Sequence, residues 1–316
     1  MKQLLFIIIF YGNGGNRMIK KVFKPHGVIP AMITPLTKDG TFNESATRKL
    51  IDYLVDNGVH GLFVVGTTGE FYGFSLEEKR YIFQVAMDQA NGRVPIYAGT
   101  NAITTKETVA LTQMAEECNV DCVSILTPMF IKPNQKELYM HYKTVADNTS
   151  LPIIIYNNPP KTGVNVNAET IAKLADISNI VAAKESSGDM TLVGEYIRLT
   201  QGKDFSVLVG RDTMIYSSLV YGASGAIASC ANVAPRLCAD IYDKYQQGDL
   251  EGALKAQYQL APLRIAFKYG TFPAVIKESL TLLGIDAGPC MEPCGPLKPE
   301  ERAALRNVLI EMELLR

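Results

Sequence analysis

From Gly27 onward, short apolar runs alternate with longer stretches whose apolar positions recur every three or four residues. The runs at 28–34, 61–65, 94–98, 122–126, 153–156, 180–184, 206–209 and 225–228 have strand length and few polar residues, which predicts strands buried on both faces. The stretches at 43–57, 75–90, 104–118, 134–148, 168–175 and 190–200 predict amphipathic helices between them. Ser75 with Glu78 forms a capping-box pattern at one helix start, and Asn134 suits an N-cap before Gln135-Lys136-Glu137. Strands alternating with helices build a parallel sheet with right-handed crossovers. Eight such units over roughly 220 residues predict an α/β fold, a closed (β/α)8 or TIM barrel, in preference to an open doubly wound sheet. No Gly-x-Gly-x-x-Gly follows the first strand, so a dinucleotide fold lacks its fingerprint.

After the eighth strand come helical stretches at 236–246, 250–269, 272–283 and 299–315, with Pro289, Pro293, Pro296 and Pro299 punctuating the loop before the last. They predict a C-terminal helical extension. The expected division is an N-terminal extension at 1–22 outside the core, a barrel at 23–235 and C-terminal helices at 236–316. The apolar run at 4–10 is too short to span a bilayer. The glycine-rich break after it offers no small-x-small cleavage site, which favours an upstream extension, with a packing arm as the alternative.

Composition narrows the function classes. The 316 residues are 47% hydrophobic and 20% charged, as in a globular enzyme, and a net charge of −1 gives no footprint for nucleic acid or an anionic membrane. Six cysteines lie at 118, 122, 230, 238, 290 and 294, and neither close pair has zinc-knuckle spacing or a nearby histidine. Reduced thiols in the cytoplasm, and no metal, are the expectation, with Cys122 a small core residue.

The chemistry falls at the carboxyl ends of the predicted strands, where a barrel places its active site. Lys184 closes the apolar run Ile180-Val181-Ala182-Ala183. Loss of solvation there favours the neutral amine, which can attack a ketone and form a Schiff base. The plain alternative is a lysine that snorkels to water. Tyr156, at the end of its own strand, is a candidate proton donor and acceptor, or an amphipathic core filler. Asn157-Asn158-Pro159-Pro160 predicts an irregular loop that carries Lys161, a cation for an incoming carboxylate. Gly66-Thr67-Thr68-Gly69-Glu70 can curve its amides into a nest for a small carboxylate, or is simply a tight turn. Arg211, after Gly210, either reads a distal substrate group or pairs with Asp212.

Together these segments resemble the dihydrodipicolinate synthase/N-acetylneuraminate lyase family of Schiff-base aldolases, over close to 290 residues from about Phe23 to the last helix. The resemblance rests on Gly66–Glu70, Thr127-Pro128 with Pro133, Tyr156-Asn157-x-Pro159 with Thr162-Gly163, and Lys184-Glu185-Ser186-Ser187-Gly188. Gly225-Ala226-Ile227 and Asn232-Val233 add to it. It implies that Lys184 forms an imine with pyruvate or a longer 2-keto acid, with Tyr156 and Thr68 as its catalytic partners. Thr67 and Thr68 would hold the carboxylate, Ile227 would line the pocket, and Lys161 and Arg211 would bind the rest of the substrate. It also implies no cofactor and a homotetramer built as a dimer of dimers.

Two departures bear on the substrate. The synthases carry an aromatic pair after the Thr-Pro of the fourth strand, whose second tyrosine joins a proton relay. Met129-Phe130 stands there, and Phe130 has no hydroxyl. They also place an arginine where Lys161 stands, and lysine keeps the charge without the fork. Lys161 with Arg211 would suit an acidic tail, such as that of a keto-sugar diacid. The expected reaction is condensation of pyruvate with an aldehyde, as in 4-hydroxy-tetrahydrodipicolinate synthase, or cleavage of a 2-keto-3-deoxy sugar acid to pyruvate. N-acetylneuraminate lyase, a dehydratase or deaminase on the same imine, and a non-catalytic keto-acid-binding protein are the alternatives. Leu76, Ile103 and Met129 occupy the feedback-site positions, so inhibition by lysine is not expected.

Overall fold

The computed structural model describes residues 23–315; the expectation for residues 1–22 lies outside them. Eight parallel strands follow one another around a ring: β1 (Gly27–Pro30), β2 (Leu62–Val64), β3 (Ile96–Gly99), β4 (Cys122–Leu126), β5 (Ile153–Asn157), β6 (Ile180–Glu185), β7 (Ser206–Val209) and β8 (Gly225–Ala228). From β2 to β8 each pairs with the next in sequence, and β8 returns to β1. Between β1 and β2 the ring is completed by one parallel bridge, Ala31 with Phe63, where Met32 N–H donates to the Phe63 carbonyl at 2.9 Å. This is the expected TIM barrel.

Between the strands run α1 (Glu44–Asp56), α2 (Leu76–Ala90), α3 (Thr105–Glu117), α4 (Gln135–Ala146), α5 (Pro159–Thr162), α6 (Ala168–Leu174), α7 (Met190–Leu199) and α8 (Ile215–Tyr221). Both reciprocal caps form, at Ser75/Glu78 and at Asn134/Glu137. Two elements differ from expectation. The loop predicted after Tyr156 folds at its far end into the single turn α5, because proline is tolerated in a helix's first turn and Gly163 supplies the left-handed residue that stops it. The other is α8, whose Ile215-Tyr216-Ser217-Ser218-Leu219-Val220-Tyr221 is too short and too rich in aromatic and β-branched residues to show a helical period.

The C-terminal helices are α9 (Pro235–Gln246), α10 (Leu250–Ala266), α11 (Ala274–Leu282) and α12 (Pro299–Glu311). The first packs on α8 and β1 and so also serves as the outer helix after β8. By contrast, α10 packs onto the single turns Asp212–Met214 and Cys230–Asn232, which follow β7 and β8, and α11 onto the second of these. The extension therefore overhangs the carboxyl ends of the strands.

The barrel interior is filled by Ile29, Phe63, Tyr97, Cys122, Ile154, Ala182, Leu208 and Ile227, as a side-chain period of two demands of strands whose alternate residues point inward. One irregularity sets the site. On β5 and β6 the register steps from Ile153 with Ile180 to Ile154 with Ala182, so Val181 is an extra residue. This bulge brings Tyr156 opposite Lys184. Without it Lys184 would fall out of phase with the inward-facing Ile154 and Tyr156 and face the surrounding helices.

Candidate active site

Lys184 is 3% exposed at the end of β6, and its Nζ stands 3.9 Å from the centroid of the Tyr156 ring and 5.0 Å from that of Phe63. Burial pushes its ammonium pKa below the ordinary value, and the opposing pull of the Tyr156 phenol and Asp212 does not cancel this. Burial alone would raise the phenol of Tyr156. The adjacent Lys184 charge, with hydrogen bonds from Thr67 and Asn158, outweighs that and holds it below the ordinary value. Asn158 Nδ2 donates to Tyr156 Oη at 2.9 Å, and Thr67 Oγ1 reaches it at 3.4 Å, a long and weak bond. An amine and a phenol whose pKa values are both lowered are thus held side by side in one buried seat.

Gly210, two residues beyond Leu208, points inward next to them. A β-carbon there would stand 1.8 Å from Ser186 Oγ and 3.1 Å from Lys184 Cε, so only glycine lets β7 pass this closely. Ser186 is 6% exposed, and its Oγ has no partner among the described residues. Glu185, next to the lysine, turns the other way: Ser187 N–H donates to its Oε1 at 2.7 Å, and burial raises its pKa.

The Gly66–Glu70 turn is bolted down by its last residue. Glu70 is fully buried with φ of 56°, its Oε2 is 2.6 Å from Lys277 Nζ on α11, and its Oε1 accepts from Met291 N–H at 2.7 Å. Lys277 also donates to the Pro289 carbonyl at 2.7 Å. The sequence pattern of an open nest conceals this anchor. Above it, Thr67 turns toward Tyr156, while Thr68 Oγ1 lies 3.3 Å from Ser229 Oγ. The hydroxyl beside the phenol is therefore Thr67's.

Thr67, Thr68, Tyr156, Lys161, Lys184 and Arg211 all line one cavity of about 420 Å³ at the carboxyl ends of the strands. Ile227 does not; it is 1% exposed in the barrel interior, one layer below Ser229, which does. Arg211 donates from Nε to the Ser186 carbonyl and from Nη2 to the Ser187 carbonyl, each at 3.2 Å. It does not pair with Asp212, whose Oδ2 faces Arg264 Nε at 3.3 Å and whose Oδ1 accepts from Cys230 N–H at 2.8 Å. Lys161 Nζ lies 5.6 Å from the Phe272 ring centroid. Sequence reasoning missed Asn158, Ser186 and Ser229, and it missed Arg264, Lys268 and Phe272 from the extension. Their positions two residues beyond inward-facing Tyr156, Lys184 and Ile227 were a usable signal for the first three.

Leu76, Ile103 and Met129 meet at a second cavity of about 530 Å³, with Tyr72, Lys79 and Glu107. Phe130 is 86% exposed with φ of 74° and does not line the first cavity. Cys122 is buried in the barrel interior as expected. Among the described residues no helix is long and apolar enough to cross a membrane.

Comparison with known proteins agrees with this geometry. Residues 24–312 match the model of the dihydrodipicolinate synthetase family. The 4-hydroxy-tetrahydrodipicolinate synthase of Methanothrix thermoacetophila is 38% identical over 286 residues, 90% of this chain and 96% of that one. The crystal structure of dihydrodipicolinate synthase from Aquifex aeolicus superposes with a TM-score of 0.88 at 36% identity, covering 92% of this chain and 98% of that one. YagE, a prophage protein of the same family from E. coli K12 solved in complex with pyruvate, gives 0.88 at 31% identity, covering 92% and 99%. The chain belongs to the dihydrodipicolinate synthetase family and is a lyase of the class I aldolase type.

Proposed function

We propose that this chain joins pyruvate to an aldehyde, or releases pyruvate from a 2-keto-3-deoxy acid, through an imine on Lys184. The observation that carries this reading is the buried Lys184 amine 3.9 Å from the Tyr156 ring at the floor of the cavity. The neutral amine attacks C2 of pyruvate, and the carbonyl oxygen leaves as water with a proton supplied by Tyr156. The protonated imine draws electrons from C3, which loses its proton to the Tyr156 phenolate and becomes an enamine. The enamine carbon then bonds to the aldehyde carbon, and the new alkoxide takes a proton from Tyr156. Water adds to C2 and frees Lys184. Cleavage runs these steps in reverse.

The Thr67–Thr68 turn offers amides and hydroxyls to the pyruvate carboxylate, beside the reacting amine. Asn158 keeps Tyr156 oriented, with a weaker contribution from Thr67. Lys161 and Arg211 face the rest of the substrate. A pyruvate complex in the related YagE supports the choice of keto acid. The unpartnered Ser186 hydroxyl favours a hydroxylated substrate carbon near the reacting centre. We place the protein in the cytoplasm as a homotetramer, with residues 23–235 as catalytic barrel, 236–316 as C-terminal helices and 1–22 as an N-terminal extension outside the core.

Enamine formation is testable with pyruvate alone. In deuterated water the wild type should exchange the methyl protons of pyruvate, followed by NMR, and Lys184→Ala should not. Exchange that survives in Lys184→Ala would contradict the reading.

A further inference from the structure

The positive charge of the site is out of proportion to the molecule. The chain carries 31 lysines and arginines against 32 acids. Yet apart from Lys184 the cavity is lined by four cations, Lys161, Arg211, Arg264 and Lys268, and one carboxylate, Asp212. Among the described residues, Arg264 is the one member of the four in an ion pair, and Asp212 already receives a backbone N–H. The cations are spread over three parts of the chain. Lys161 lies on α5 and Arg211 after β7, whereas Arg264 ends α10 and Lys268 lies in the turn Phe267–Tyr269 beyond it. Arg264 and Lys268 therefore meet the cavity from the overhanging extension, across from the barrel floor that holds Lys184.

We propose that Arg264 and Lys268 are specificity-determining residues that bind a second anionic group, a carboxylate or a phosphate, at the far end of the substrate. This deepens the imine reading and rests on it. In that reading the Thr67–Thr68 turn takes the pyruvate carboxylate, and Asp212 offsets one of the four cations, so a net positive charge is left for the other end. Three of the four lie over aromatic rings: Lys161 Nζ is 5.6 Å from the Phe272 ring centroid, Arg264 Cζ 4.9 Å from that of Phe267, and Lys268 Nζ 5.9 Å from that of Tyr269. A cleft lined by one sign of charge raises the local concentration of the opposite ion and weakens with salt. A cavity of about 420 Å³ also leaves room well beyond a three-carbon acid. The substrate half that is not pyruvate should then be a polyhydroxy chain ending in an anion.

The test uses the full chain and three aldehydes of equal length with saturating pyruvate: glyceraldehyde, glyceraldehyde 3-phosphate and tartronate semialdehyde, whose far end is a carboxylate. Pyruvate consumption gives KM and kcat for each. At least one anion-ended aldehyde should show a KM about tenfold lower than glyceraldehyde, and that advantage should shrink between about 0.02 and 0.3 M salt. Lys268→Glu should abolish the advantage, and Lys268→Arg should retain it, a rescue that a merely structural role would not give. Whichever of the two anions benefits identifies the far group. Equal KM values for all three aldehydes would overturn the proposal, as would an advantage that persists in both Lys268→Glu and Arg264→Gln. Pyruvate deuterium exchange separates the two failures: if it proceeds while the KM values are equal, the imine reading stands and only the far-end assignment falls. If exchange is absent in the wild type, both fall.

Discussion

At the scale of single residues, Lys184 and Tyr156 shift each other's charge. Burial favours the neutral amine at Lys184, and the neighbouring phenol of Tyr156 works against it. Removing the phenol in Tyr156→Phe therefore leaves burial less opposed, and the Lys184 pKa should fall further. Because attack requires the neutral amine, activity rises with pH through that pKa. The acidic limb of the kcat/KM–pH profile should move to lower pH in Tyr156→Phe, while kcat drops by about 10²- to 10⁴-fold from the lost proton transfer. The two limbs belong to the coupled pair in the wild type, so the shift between enzymes is the informative quantity. An unmoved acidic limb would separate Tyr156 from Lys184. The places of Lys184 and Tyr156 at strand ends were legible in the sequence because each closes an apolar run, whereas their roles came from the family resemblance. Arg264 and Lys268 were not legible, since nothing local tells which face of a late helix overhangs a barrel.

At the scale of elements, the strand periodicity and the capping boxes located most helices and all eight strands. The bulge at Val181 was hidden: Ile180-Val181-Ala182-Ala183 has no pattern from which a register step can be read, although that step decides where Lys184 points. The close passage of β7 past β6 was hidden as well, because Gly210 acquires its meaning only from Ser186 and Lys184 across the sheet. Gly210→Ala should force that pair apart and lower kcat/KM by about 100-fold through misplacement of the amine. Deleting the nearest atom in the double variant Ser186→Ala/Gly210→Ala should recover part of the loss. A Gly210→Ala enzyme with wild-type kcat/KM would show that the strands tolerate the extra carbon.

At the scale of the whole molecule, the extension and the barrel are joined through the site itself. The Glu70–Lys277 pair spans from the turn after β2 to α11 and is buried on both sides. Composition could not reveal it, because its partners lie some 200 positions apart and look like ordinary charged residues in a turn and a helix. Breaking a buried pair leaves an uncompensated charge, at a cost of about 3–5 kcal/mol. Lys277→Met should lower unfolding stability by that amount in urea titration and should also raise KM for pyruvate, since the Thr67–Thr68 turn loses its anchor. A loss of stability with KM unchanged would make the pair a fastener of the fold alone.

The most direct measurement is mass spectrometry of the intact chain and its peptides after borohydride reduction in the presence of pyruvate. One covalent adduct is expected, on the peptide bearing Lys184, and none in Lys184→Ala. Folded protein that emerges unmodified at that position, or modified at a different lysine, would contradict the imine reading.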